Sequence, residues 1–140
     1  MKIDSDSAFA KPSQFCTVIN CMDGRVQLPV ISYLKKRFGV EYVDSITEPG
    51  PNRILAEQQD ENLVASILNR LKISVKKHRS VGIAIAGHYD CAGNPTGEAH
   101  QKRQLQDAIR FIRQMYPNIE IIGLWVDKHW QVNEILQNQK

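Results

Sequence analysis

The sequence predicts an α/β fold with a central, mainly parallel sheet of four to five strands flanked by helices. Four apolar runs rich in Val and Ile have the length of buried strands, and an amphipathic segment follows each of them. The runs are largely continuous rather than alternating, which is typical of strands covered on both faces. Strand–helix alternation favours right-handed crossovers between parallel strands. The predicted strands are Phe15 to Asn20, Glu41 to Ile46, Val81 to Ala86 and Glu120 to Val126.

The segments between and after the strands carry apolar residues at helical spacing. Pro29 is tolerated in the first turn of the first helix, and Gly39 is a stop signal after its end. No repeat or linker divides the 140 residues, so we predict a single domain over residues 1–140. The predicted helices are Leu28 to Phe38, Ile54 to Val75, Glu98 to Tyr116 and His129 to Gln137.

The composition is that of an ordinary globular protein, with 42% hydrophobic and 24% charged residues. The net charge of +3 is mild, so nucleic acid is not expected as a partner. No apolar run approaches the ~20 residues that span a bilayer, and no membrane association is expected. The polar N-terminal segment lacks the apolar core of a signal peptide, which predicts a cytoplasmic protein.

Polar and sulfur-bearing side chains follow the first and third predicted strands. Cys21, Asp23 and Arg25 come after the first strand, and His88 and Cys91 come after the third. Because the carboxyl ends of parallel strands meet at one edge of a sheet, we expect the two segments to come together. Two thiolates and an imidazole suit Zn²⁺. The sequence therefore predicts a zinc site formed by Cys21, His88 and Cys91.

Each of these residues also has an ordinary structural explanation. A lone Cys21 is most often a small buried hydrophobe, His88 a hydrogen-bonded histidine, and Asp23 with Arg25 a surface ion pair. Their convergence at one sheet edge favours the metal site. A bidentate contact with Arg25 would keep Asp23 off the metal, whereas a released Asp23 could ligate it.

Three further residues are predicted to lie outside this site. Cys16 belongs to the core, and His78 and His100 occupy solvated helix positions. Three cysteines in a chain without a secretion signal do not indicate a disulfide framework.

The two segments resemble motifs of the β-class carbonic anhydrases. Members of that family carry Cys-x-Asp-x-Arg after the first strand and His-x-x-Cys after the third. Here these read Cys21-Met22-Asp23-Gly24-Arg25 and His88-Tyr89-Asp90-Cys91, and the match extends over roughly residues 15 to 126. Two departures are visible. Ala92 separates Cys91 from the glycine that usually follows at once, and Glu48 to Arg53 replaces an Arg-Asn-Ala-Gly-Asn segment.

The resemblance implies an enzyme, a compact and divergent carbonic anhydrase. Zn²⁺ is then bound by Cys21, His88 and Cys91, and Asp23 and Arg25 form the catalytic dyad. The implied reaction is reversible hydration of CO₂ to bicarbonate by zinc-bound hydroxide. The family completes its active sites at a subunit interface, which implies a homodimer or a higher homo-oligomer.

Three alternatives remain open at the level of sequence. A hydrolase of COS or CS₂ could use the same site, with access to the pocket deciding the substrate. A non-catalytic zinc-binding module would have Asp23 permanently in the fourth metal position. A redox protein would use Cys21 and Cys91 as a dithiol.

Overall fold

The computed structural model describes residues 12–137 and contains one five-stranded sheet. Strands β1 to β5 span Phe15–Cys21, Tyr42–Glu48, Gly82–His88, Glu120–Val126 and Val132–Glu134. Their order in the sheet is β2-β1-β3-β4-β5. The first four strands are parallel, and β5 is antiparallel to β4. The predicted α/β class with a mainly parallel sheet is confirmed.

Four α-helices connect the strands. A short 3₁₀ helix, Gly24–Val26, leads from β1 into the first of them. None of the described helices is both long and apolar enough to span a bilayer. Helices α1 to α4 span Gln27–Phe38, Pro51–Glu57, Glu61–Lys77 and Glu98–Met115.

The helix predicted over Ile54 to Val75 is wrong in its extent, because two helices occupy this region. Gln58 adopts a left-handed conformation (φ 55°) that ends α2, and its backbone N–H donates to the carbonyl of Ile54. Asp60 then starts α3, since its side chain accepts a hydrogen bond of 3.0 Å from the backbone N–H of Leu63. The aspartate is thus a helix N-cap within an otherwise continuous apolar stripe.

The helix predicted over His129 to Gln137 is also wrong. A tight turn follows β4, and the chain returns as β5 with Asn133 opposite Trp125. One carboxylate oxygen of Asp127 accepts hydrogen bonds from the backbone N–H groups of His129 (2.9 Å) and Gln131 (3.1 Å). This local acceptor satisfies the N–H groups that would begin a helix, and so favours the turn.

The two faces of the sheet carry two separate apolar clusters. On one face, α2, α3 and α4 pack over a cluster that contains Ile19 and Ile85. On the other face, α1 packs over a cluster that contains Val18 and Ala84. Cys16 is fully buried in the second cluster, as predicted. Cys21 and Cys91 belong to the same cluster.

Candidate metal centre

Cys21, His88 and Cys91 come together at the carboxyl edge of the sheet. Cys21 and His88 are the last residues of β1 and β3, which are neighbouring strands, and Cys91 lies in the loop after β3. One ligand atom from each residue lies within 4.8 Å of the other two, and all three side chains are buried. The structure therefore brings together the three residues that the sequence predicted as metal ligands.

The geometry of this cluster fits a zinc ion. The sulfur atoms of Cys21 and Cys91 are 3.8 Å apart. Two Zn–S bonds of about 2.3 Å at a tetrahedral angle would separate the sulfurs by about 3.8 Å. A disulfide would need an S–S distance of about 2.05 Å, and both cysteines are free.

The orientation of His88 also fits a metal ligand. Its Nδ1 lies 2.7 Å from the carbonyl oxygen of Tyr89, which can only accept, so Nδ1 carries the proton. The lone pair is then on Nε2, which is buried and has no hydrogen-bond partner within residues 12–137. Metal-bound histidines commonly have this arrangement, with one nitrogen fixed by a carbonyl and the other directed at the ion.

The two cysteine sulfurs lie within hydrogen-bond distance of each other, at 3.8 Å. The pKa of Cys21 is lowered, chiefly because the Cys91 thiol donates a hydrogen bond to its sulfur. The pKa of Cys91 is raised by the same interaction and by burial. Backbone N–H groups of Gly50 and Asp23 further favour the anionic form of Cys21. A divalent cation bound between them would allow both sulfurs to be thiolates.

Two glycines allow the loop after β2 to pack closely against the loop that carries Cys91. A Cβ on Gly50 would lie 2.7 Å from the Cβ of Asn94, and one on Gly93 would lie 2.6 Å from the Cβ of Pro49. Gly50 also has a positive φ of 65°, which favours glycine. The segment that departs from the family pattern, Glu48 to Arg53, therefore supports the metal-binding loop. Sequence reasoning did not identify this support.

Two buried amides of α4 support the site, and one of them, Gln101, holds His88 by its backbone. The Gln101 side chain accepts a hydrogen bond from the His88 N–H (3.2 Å) and donates one to the His88 carbonyl (2.9 Å). Gln104 accepts from the Asn94 side chain (2.7 Å) and from Asn52 (3.3 Å). Sequence reasoning missed these residues. The available signal was two glutamines on the same helical stripe as buried Leu105.

Asp23 and Arg25 form a bidentate ion pair beside the cluster. Arg25 Nη2 lies 2.7 Å from Asp23 Oδ2, and Arg25 Nε lies 3.1 Å from Asp23 Oδ1. These hydrogen bonds lower the pKa of Asp23 to about 2. Asp23 Oδ2 is 4.0 Å from His88 Nε2, so the carboxylate stands next to the three ligand atoms. Arg25 also donates to the Asp90 side chain (3.2 Å) and carbonyl (3.0 Å).

Trp130 covers this ion pair and was not predicted as part of the site. The centre of the Arg25 guanidinium lies 4.5 Å from the centroid of the Trp130 ring, within the range of a cation–π contact. The His88 and Trp130 ring centroids are 6.5 Å apart. Sequence reasoning placed Trp130 in a terminal helix. The signal for the turn was Asp127, directly after β4.

The fold and the site together define a class of protein. It is a mainly parallel α/β protein with a buried Cys-His-Cys cluster at the carboxyl edge of its sheet and an arginine-bound carboxylate beside that cluster. Three donors of this kind are typical of catalytic zinc sites, which leave a fourth position open.

Comparisons with known proteins identify the family of this chain. A family model described as "Putative carbonic anhydrase" matches residues 11–136, and the chain belongs to this family. The resemblance to carbonic anhydrases found in the sequence is thereby confirmed. No curated protein sequence matches the chain significantly.

Solved structures of β-carbonic anhydrases share the fold. A mutant of a β-carbonic anhydrase from Aspergillus fumigatus has a TM-score of 0.58 and 17% identity, with 97% of each chain covered. A tetrameric β-carbonic anhydrase from Sordaria macrospora has a TM-score of 0.56 and 14% identity, covering 94% of this chain and 87% of that one. A carbonic anhydrase from Glaciozyma antarctica has a TM-score of 0.55 and 14% identity, with 95% and 88% covered. At these identities the likeness concerns the fold.

Proposed function

We propose that this protein is a zinc-dependent carbonic anhydrase that catalyses the reversible hydration of CO₂ to bicarbonate. The metal ligands are Cys21, His88 and Cys91, and Asp23 and Arg25 are the catalytic dyad. One observation carries the proposal: His88 Nε2, which is buried and has no hydrogen-bond partner in the described part of the chain, lies in a cluster with two sulfurs that are 3.8 Å apart. Membership in the carbonic anhydrase family supports it.

The residues around the metal centre have separate roles in the proposed reaction. When bound, zinc lowers the pKa of a coordinated water to near 7 and so makes a nucleophile available at neutral pH. Asp23, beside the ligand cluster, accepts a hydrogen bond from the attacking water and orients it. Arg25 engages both carboxylate oxygens, which keeps Asp23 from taking the fourth metal position. The Tyr89 carbonyl fixes the His88 ring.

The bidentate contact favours a catalytic site over a non-catalytic zinc module. In such a module Asp23 would have to leave Arg25 to become the fourth ligand. It would then lose two charge-assisted hydrogen bonds, which are the stronger kind.

Assembly and location are also part of the proposal. The carbonic anhydrases from Sordaria macrospora are described as tetrameric, which supports a homo-oligomer for this chain. We propose a homodimer or a higher homo-oligomer built from single domains and located in the cytoplasm. Light scattering coupled to gel filtration measures the assembly.

The test combines elemental analysis with a stopped-flow CO₂ hydration assay on one purified sample. We expect about one zinc per chain and a rate that rises above neutral pH, because two thiolates raise the pKa of a bound water relative to an all-histidine site. Cys21→Ser removes zinc and rate together. The matched control is Cys16→Ala, a buried cysteine outside the ligand group, which keeps both.

The same sample is assayed with COS and CS₂. Faster hydrolysis of either gas than hydration of CO₂ reassigns the substrate. Full CO₂ hydration in zinc-free protein, or a flat rate between about pH 6 and 9, contradicts the zinc mechanism.

A further inference from the structure

The turn between β4 and β5 holds a bulky residue in an uncommon conformation. Trp130 has a positive φ of 60°, which is rare for a large side chain and is kept only where the surroundings fix it. Here Asp127 fixes it. Its carbonyl accepts from the Trp130 N–H at 2.9 Å, and its carboxylate accepts from His129 and Gln131.

This conformation places the indole against the metal centre. The ring is partly buried and packs on the apolar cluster that contains Cys21 and Cys91. Its face lies against the Arg25 guanidinium at 4.5 Å. Arg25 is therefore in contact with the Trp130 ring and bonded to two acids, Asp23 and Asp90.

Apart from Asp23, which is 19% exposed, the ring is the more closely packed of these contacts. The Arg25 and Asp90 side chains are 46% and 68% exposed, and exposed ion pairs between mobile side chains give weak restraint. The Trp130 ring is restrained by packing on the apolar cluster and by the turn that Asp127 closes. Arg25 therefore lies against a packed aromatic ring in addition to its two acidic partners.

We propose that Trp130 is a positioning residue. Its ring holds Arg25 in the orientation that forms the bidentate pair with Asp23, and this pair keeps the Asp23 carboxylate off the metal. The inference rests on the proposed function. Asp23 Oδ2 is 4.0 Å from His88 Nε2, so a small movement of the carboxylate, once it is no longer bonded to Arg25, would bring it to the fourth metal position. Loss of the ring then shifts the centre toward a state in which Asp23 competes with exogenous ligands.

Azide binding to the Co²⁺-loaded protein tests this competition without measuring catalysis. The visible absorption of Co²⁺ reports binding of azide at the fourth position. Trp130→Phe retains an aromatic face, whereas Trp130→Leu does not. We expect Trp130→Phe to bind azide within about threefold of the native protein, and Trp130→Leu to bind it about tenfold more weakly. Lys128→Ala, an exposed position in the same turn, is the matched control and leaves the affinity unchanged.

A double variant separates positioning from damage to the fold. In Trp130→Leu combined with Asp23→Ala, the competing carboxylate is gone, so azide affinity returns to that of Asp23→Ala alone. Equal weakness with and without Asp23, or native affinity in Trp130→Leu, overturns the inference. If Trp130→Leu does not fold, Trp130→Met replaces it, since Met has a flexible side chain that adapts to irregular apolar space and has no aromatic face.

The two proposals fail in different ways. Native protein that binds no Co²⁺ overturns the proposed metal function and this inference with it. Native protein that binds Co²⁺ and azide, together with a Trp130→Leu variant that binds azide equally well, overturns the role of Trp130 alone.

Discussion

Two clusters of polar side chains lie near opposite ends of the parallel strands, and each contains a histidine and an aspartate. The cluster at the carboxyl ends is the candidate metal centre, with Asp23 and His88. The cluster toward the amino ends, here called the hydroxyl cluster, contains an aspartate, a histidine and three hydroxyl side chains. Its members are Thr17, Asp44, Ser74, His78 and Ser80.

The polar groups of the hydroxyl cluster form hydrogen bonds with one another. Ser74 Oγ and His78 Nδ1 both donate to Asp44 Oδ2 at 2.6 Å. Ser74 and Ser80 share a hydrogen bond of 2.6 Å, and Thr17 donates to Ser80 at 2.9 Å. The prediction of a solvated His78 is therefore wrong in part: its ring is partly exposed, yet it is bonded to Asp44 and stacked on Phe15 at 4.1 Å.

Although each cluster contains a histidine and an aspartate, the two differ in whether their buried polar atoms have hydrogen-bond partners. In the hydroxyl cluster the carboxylate accepts two hydrogen bonds, and the buried hydroxyls have partners. In the metal centre, the buried Nε2 of His88 has no hydrogen-bond partner among the described residues and lies near two sulfurs. A buried polar atom without a partner is costly unless a ligand completes it, so the two clusters are expected to respond differently to substitution.

Substitution of the two histidines gives the largest expected contrast. His88→Ala removes a ligand, so zinc affinity falls by more than about 100-fold, beyond the loss typical of outer-shell residues. His78→Ala leaves zinc affinity unchanged. Competition with a chromophoric chelator measures both. Equal losses in the two variants would mean that the clusters do not differ in the way described.

Gln101 gives the next largest effect, because it holds the backbone of a ligand rather than binding the ion. Gln101→Leu removes both hydrogen bonds to the His88 peptide, and zinc affinity is expected to fall by about 10- to 100-fold. Gln104→Leu is the matched control. The native Gln104 side chain bonds to Asn94 and Asn52 but not to His88, so its replacement is expected to change zinc affinity by less than about threefold. A larger effect at Gln104 than at Gln101 would contradict the role of the backbone contact.

Much of this arrangement could be predicted from the sequence, because strand signals and edge geometry are local and general. Continuous Val and Ile runs located β1 to β4 within two residues of their bounds. The rule that parallel strands end at one edge then brought Cys21 near His88 across 67 positions of sequence. The two motifs contained all three residues of the ligand group.

The rest depended on individual hydrogen bonds between side chains and backbone groups, one between separate elements and one within a turn. Gln101 is an ordinary helix residue by its pattern, and only the packing of α4 on β3 shows that it bonds to His88. Trp130 has apolar character that suits a helix, but the carboxylate of Asp127 favours a turn. Neither effect produces a periodic signal along the chain, which is why pattern reasoning missed both residues.

The hydroxyl cluster should affect stability but not metal binding. Asp44→Ala leaves Ser74 and His78 without their common acceptor, and the expected loss is about 1–3 kcal/mol of unfolding free energy. Asp44→Asn keeps an acceptor oxygen and should lose less. Urea denaturation measures the difference, with chelator competition in parallel. A change in zinc affinity without a change in stability would contradict the structural role of this cluster.

The smallest expected effect concerns the surface attachment of β5, which carries the chain out of the Trp130 turn. Arg37 Nε lies 2.8 Å from Glu134 Oε1, and the Tyr33 hydroxyl donates to the same oxygen at 2.8 Å. Hydrogen bonds from Arg37 lower the pKa of Glu134. A lowered folded-state pKa means that the stabilisation is fully present above the unfolded value of about 4.3 and is lost as the pH falls through the folded value.

Glu134→Gln should therefore destabilise the protein by less than about 1 kcal/mol at neutral pH, because the pair is partly exposed. The gap between variant and native protein closes in acid, once native Glu134 is protonated. Urea denaturation at pH 7 and below pH 4 measures this closure. A gap that persists in acid would show that the carboxylate charge is not what attaches β5 to α1. Because β5 follows the turn that carries Trp130, zinc affinity is measured on the same variant. We expect it to be unchanged, since the Trp130 ring contacts Arg25 and is not a metal ligand.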